Sequence, residues 1–208
     1  SSDSKTWTYD GQDHSWPVYT VKYGDETAEA VESTEEGTYV FKLSTGDTVT
    51  ISNAATVKNF SDTENKTENN TYDYVVSNAG QYATVTPSYG TLTISKRDVT
   101  LLSDSFSKEY DGTALTNKNG TDEQQPLKTE EGWVTGEGAT YTFTGSQLNE
   151  GTSKNAFTYE LNAGTLEENY NISKTEGDLT VTKSTKAITI SSDSKTWTYD
   201  GQDHSWPV

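Results

Sequence analysis

The chain has 208 residues, of which 30% are hydrophobic, and 32 acidic against 15 basic side chains leave a net charge of −17. That polarity excludes one large apolar core, and the sign of the charge disfavours nucleic acid and anionic membrane surfaces as partners. The absence of cysteine excludes disulfides, thiolate catalysis and cysteine-based zinc sites, and no apolar stretch is long enough to cross a membrane as a helix.

Strand signals dominate in chain order. "VYTVKY" (18–23), "TYVFKL" (38–43), "TVTIS" (48–52), "YDYVVS" (72–77), "YATVTP" (82–87) and "TLTISK" (91–96) set β-branched and aromatic residues between Gly, Asn and Asp breaks. "VTLLS" (99–103), "ATYTFTG" (139–145), "AFTYELN" (156–162), "YNIS" (170–173) and "DLTVTK" (178–183) continue the pattern. Turns are expected at Gly24, Gly46, Gly80, Asn119-Gly120 and Gly164. The one helix candidate is "DETAEAVEST" (25–34), and the polar stretch "NFSDTENKTENNT" (59–71) reads as a mobile acidic loop.

The first eighteen residues, "SSDSKTWTYDGQDHSWPV", return unchanged at 191–208, a period of 191 − 1 = 190 residues. Within it Tyr9-Asp10-Gly11 is echoed at Tyr110-Asp111-Gly112 and at Tyr199-Asp200-Gly201, each after a Ser-Lys pair. Gly-x-Leu-Thr-(Ile/Val)-x-Lys closes both units, at Gly90–Lys96 and Gly177–Lys183. The expected organisation is a window on a longer tandem array: a first β domain over 1–97 lacking its opening strand, a second over 98–183, and the start of a further unit over 184–208. Both domains are acidic, with 7 basic and 14 acidic groups over 1–97 and 6 and 15 over 98–183. No Gly/Ser or Pro linker separates them, so the junction should be semi-rigid.

The Tyr-Asp-Gly motif invites two readings. In the structural one, Asp caps nearby backbone N–H groups, Gly takes a positive φ (expected at Gly112) and Tyr packs inward; calcium ligation is the rival, but no D-x-D-x-D-G pattern supports it. Trp7 and Trp16 flank the first copy, suited either to packing or to stacking on a sugar ring. His14, repeated at His204, lacks a second His or Cys for a metal site. The acidic pairs Glu35-Glu36, Glu130-Glu131 and Glu167-Glu168 read as solvated turns. The recurrent lysines Lys5, Lys108, Lys195, Lys96 and Lys183 are the candidates for a Lys-Asn crosslink.

"SKEYDGTALTN" (107–117), "GEGATYTFTGSQ" (136–147), "NAFTYELNAGT" (155–165) and "ENYNISKTEGDLTVTK" (168–183) together resemble the YDG/MBG-type β-rich tandem repeats of large Gram-positive bacterial surface proteins and adhesins. The resemblance covers nearly all of the second unit and, in the first, "SKTWTYDGQDHS" and "GTLTISK". It implies an extracellular, cell-surface location, with cell-wall anchoring through a part of the protein outside this segment. It defines no catalytic or ligand residues to carry over.

The expected fold is all-β: two tandem immunoglobulin-like β-sandwich-type domains in an elongated array, with β-grasp-like repeats as the alternative. The expected function is a non-enzymatic stalk or spacer without cofactor, projecting a distal functional domain from the cell. The alternative is a carbohydrate- or glycoprotein-binding adhesin module acting by avidity through Trp7 and Trp16. Expected partners are neighbouring repeats, a host glycan or glycoprotein in the alternative reading, and a second copy joined head to tail by strand donation. Nucleic acid and membrane insertion of this segment are not expected.

Overall fold

The computed structural model describes residues 1–206. The fold is all-β, built from short strands in several small sheets, with one α-helical turn at Phe60–Thr63. The same wiring occurs twice. Lys5–Thr8 lies parallel to Leu92–Ser95, and Phe106–Glu109 lies parallel to Asp178–Thr182. In both closing strands alternate residues turn inward, burying Leu92 and Ile94 in one and Leu179 and Val181 in the other, as a strand with one dry face requires.

A buried serine precedes each opening strand of these pairs. Ser2 Oγ donates to the Asn70 carbonyl at 2.7 Å and accepts from the Gly90 N–H at 3.0 Å. Ser103 Oγ donates to the Asn155 carbonyl at 2.7 Å and accepts from the Gly177 N–H at 2.9 Å. The two glycines permit this approach, because a Cβ at Gly90 would sit 2.3 Å from the Asp3 backbone and one at Gly177 2.4 Å from the Asp104 carbonyl oxygen.

The halves differ upstream of those serines. In the second, Arg97–Leu102 is inserted between Thr129–Glu131, antiparallel, and Tyr170–Thr175, parallel, and buries Val99 and Leu101. In the first half no strand occupies the matching place, and "YATVTP" (82–87), expected as a strand, has no ladder partner and forms none. Elsewhere Glu29–Val31, Tyr39–Lys42, Thr48–Ser52 and Asp73–Val76 form an antiparallel sheet around Phe41, Ile51 and Tyr72.

Two further expectations are corrected. The helix expected over 25–34 is strand instead, Glu26–Thr27 and Glu29–Val31. Its few apolar residues cannot support a buried helical stripe, whereas Glu29 and Val31 pair with Lys42 and Val40. The stretch 59–71, expected as a mobile loop, is anchored: Asp62 accepts from the Lys58 and Asn59 N–H groups ahead of the helical turn, and Thr63 and Asn70 are buried.

A single cluster, Tyr9, Val57, Leu92, Ile94, Val99, Leu101, Phe157 and Tyr170, draws on both halves, and only Lys96 stands between the Leu92–Ser95 and Arg97–Leu102 strands. Residues 184–206 form no strand; Ile188 and Ile190 are 91% and 92% exposed.

Candidate functional site: the Tyr9 joint

The three Tyr-Asp-Gly motifs share their turn and differ in their tyrosines. Asp10, Asp111 and Asp200 each accept from the backbone N–H two residues on, at 2.9 Å, 2.9 Å and 3.0 Å, and Gly11, Gly112 and Gly201 have φ of 77°, 83° and 77°. Lys108 and Thr113 hold the Asp111 carboxyl far below its usual range. At Asp10 burial acts upward, but the Gln12 N–H and the His14 ring outweigh it and the carboxyl is lowered. Tyr9 is buried, whereas Tyr110 is 44% and Tyr199 95% exposed. Inward packing of the tyrosine is therefore corrected for the second and third copies, and Tyr9 itself packs on the second half rather than on its own turn.

Tyr9 Oη donates to Glu137 Oε1 at 2.6 Å, and Tyr170 Oη donates to Glu137 Oε2 at 2.7 Å. The two rings meet edge to face at 5.4 Å, and Trp133 backs Tyr170 edge-on at 4.9 Å. One carboxylate thus holds a phenol from each half. Burial, then the bond to Glu137, raises Tyr9 to about 12 and pushes Tyr170 up as well, so both donate as neutral phenols. Gly11 approaches Val134 closely enough that a Cβ would lie 2.9 Å from its Cγ1.

A second set of contacts closes the joint. Asn169, fully buried, accepts from the Phe60 N–H at 2.8 Å and donates to Asn59 Oδ1 at 3.0 Å, while Ser61 Oγ donates to Glu168 at 2.5 Å. Chemically the arrangement is a clamp: a shared carboxylate, a buried amide and an aromatic stack, all internally paired.

Sequence reasoning missed Glu137, Trp133, Asn169 and Tyr170. A signal for Glu137 existed: Thr135-Gly136-Glu137 repeats Thr45-Gly46-Asp47.

The aromatic residues flanking the first motif form a ladder. His14 stacks on Trp7 at 4.8 Å, Trp16 meets Trp7 edge-on at 6.4 Å, Lys5 Nζ lies 4.4 Å from the Trp16 ring, and His14 Nε2 pairs with Asp10 at 2.9 Å. Both tryptophans also pack against the core cluster. The ladder re-forms in the exposed tail at Trp197, His204, Trp206, Lys195 and Asp200, so it is a local property of these eighteen residues. The other candidate lysines are also engaged or exposed: Lys108 bonds Asp111 and Thr113, Lys96 lies over Phe60, and Lys183 is exposed. Among the acidic pairs, Glu130 accepts from Tyr141 Oη and Glu168 from Ser61. Among the described residues no three His, Asp or Glu side chains gather as a metal cage.

No family model, no curated protein and no solved structure matches the chain.

Proposed function

We propose that the chain is a spacer: two β-sandwich-type units of a tandem array on a cell surface, joined end to end by a clamp that resists bending, whose task is to hold a distal part of the protein away from the cell. The observation that carries this reading is the Tyr9 joint. A spacer needs stiffness between units, and here one residue, Lys96, separates consecutive strands while Glu137 ties the two halves through two phenols. In each half the first and last long strands run the same way, so the chain enters at one end and leaves at the other. From Arg97 to Glu109 that path covers at most about 40 Å at strand rise.

The glycan-binding alternative is less favoured, because one face of Trp7 is covered by His14 and one face of Trp16 by the Lys5 ammonium.

Small-angle scattering tests the spacer. Two units of about 40 Å end to end give a radius of gyration near 24 Å. A value near 17 Å, that of one compact body of this length, would overturn it.

A further inference from the structure

The first half carries the parts of the joint without an occupant. Thr45-Gly46-Asp47 matches Thr135-Gly136-Glu137, with Gly46 and Gly136 at φ of 91° and 88°. Tyr82 Oη donates to Asp47 Oδ2 at 2.7 Å, as Tyr170 does to Glu137, and Tyr23 meets Tyr82 edge-on at 5.7 Å, as Trp133 meets Tyr170. The second carboxylate oxygen marks the difference. In Glu137 it holds Tyr9, and in Asp47 it holds the exposed Asn78 side chain at 2.7 Å and Ser77 at 3.3 Å.

Beside this pair lies an open cavity of about 160 Å³ lined by Val21, Leu43, Val49, Ile51, Tyr72 and Val85. It occupies the place that Arg97–Leu102 takes in the second half, between the segment that pairs with the buried serine's neighbour and the segment after the socket tyrosine. Ser1 and Ser2 already begin that pairing, with the Ser1 terminal amine on the Thr20 carbonyl and Ser2 bridged to Tyr19.

The matching plug is exposed at the other end of the molecule. Ser192 repeats Ser2, which corresponds to Ser103, so Ile190 and Ile188 stand where Leu101 and Val99 stand, two and four residues upstream. Those isoleucines are almost fully solvated, whereas Val99 and Leu101 are 1% and 0% exposed. Tyr110 extends from its strand as Tyr9 does: the Tyr110 N–H donates to the Thr182 carbonyl at 2.8 Å and the Tyr9 N–H to the Ser95 carbonyl at 2.9 Å. Lys183 to Ile188 spans two residues more than Lys96 to Val99, which keeps the alternation of side chains.

We propose that the cavity and the Asp47–Tyr82 pair form a docking site for the end of a second copy of this chain. Lys186–Ile190 enters as a strand between Thr20–Lys22 and Tyr82–Pro87, Ile188 and Ile190 fill the cavity, and the Tyr110 phenol donates to Asp47, displacing Asn78. The contact uses different surfaces on the two copies, so it propagates as an open row. It deepens the spacer reading by extending the same joint between copies, but its observable is separate: a rod-shaped monomer would end this proposal and leave the spacer standing.

Sedimentation across a concentration series tests it. The full chain should associate beyond the dimer, and Ile188→Asp with Ile190→Asp, at side chains that are almost fully solvated, should weaken association by at least about a hundredfold. Tyr110→Phe should weaken it by about tenfold. Register is checked in the cysteine-free background: Thr100 faces Glu131 in the filled joint, so a Thr189→Cys copy mixed with a Lys22→Cys copy should give mixed disulfide dimers. A chain monomeric at every concentration, an Ile188→Asp/Ile190→Asp variant that associates like its parent, or absence of mixed dimers would each overturn the proposal.

Discussion

Replacing Tyr9 by alanine removes a ring that is 3% exposed, its edge contact with Tyr170 and its bond to Glu137. An aromatic-to-alanine change at such a site costs about 3–5 kcal/mol, and Tyr9→Phe, which removes only the hydroxyl, costs about 1–2 kcal/mol by leaving one Glu137 oxygen short of a donor. Tyr110→Ala, in the same motif on the same type of turn, should cost under about 0.5 kcal/mol in dilute solution because nothing covers the ring. Tyr9 belongs to one half and packs on the other, so its loss should also split unfolding, turning one cooperative transition into two. Urea denaturation followed by tryptophan fluorescence reads both effects, with Trp133 in the second half and Trp7 and Trp16 in the first. Equal costs at Tyr9 and Tyr110, or a Tyr9→Ala chain that still unfolds in one step, would refute the idea that the tyrosine acts across the joint.

Other substitutions separate local from tertiary roles. Gly112→Ala should cost about 1 kcal/mol, since φ is +83° but the space around it is open, whereas Gly90→Ala and Gly177→Ala should each cost more than about 2 kcal/mol because backbone blocks the new methyl; thermal unfolding distinguishes them. Ser103→Ala strands a buried carbonyl and N–H and should lower stability by about 1–3 kcal/mol. Alkaline titration should loosen the joint. Tyr9 is raised from 10.0 to about 12, so its contribution is complete below pH 10 and is lost as the pH climbs to about 12, and Tyr9→Phe should flatten that part of the stability profile. A glycan array is expected to find no ligand; reproducible binding abolished by Trp16→Ala would favour the adhesin reading over the spacer.

What the sequence disclosed was what its neighbours determine. The alternation in "TLTISK" and "DLTVTK" places Leu92, Ile94, Leu179 and Val181 inside before any partner is known, and Asp-Gly specifies its own turn in all three motifs. Glu137 was invisible because its partner Tyr9 lies 128 residues away, and nothing local distinguishes a clamping carboxylate from the solvated ones around it. "YATVTP" has the composition of a strand, but a strand also needs a neighbour to accept its hydrogen bonds, and none lies beside it. The stretch 59–71 was misread for the converse reason: its polar side chains are satisfied by Asn169, Glu168 and the Ile94 backbone rather than by water.

The parallel pairing of Lys5–Thr8 with Leu92–Ser95, and of Phe106–Glu109 with Asp178–Thr182, also bears on tension. Pulling the ends of the chain apart drags the two strands of each pair past one another along their length, so every rung of the ladder is loaded together and none can fail first. An antiparallel terminal pair would instead peel one rung at a time. The polar, thinly packed halves are therefore wired to yield to heat or denaturant well before they yield to a force along the chain.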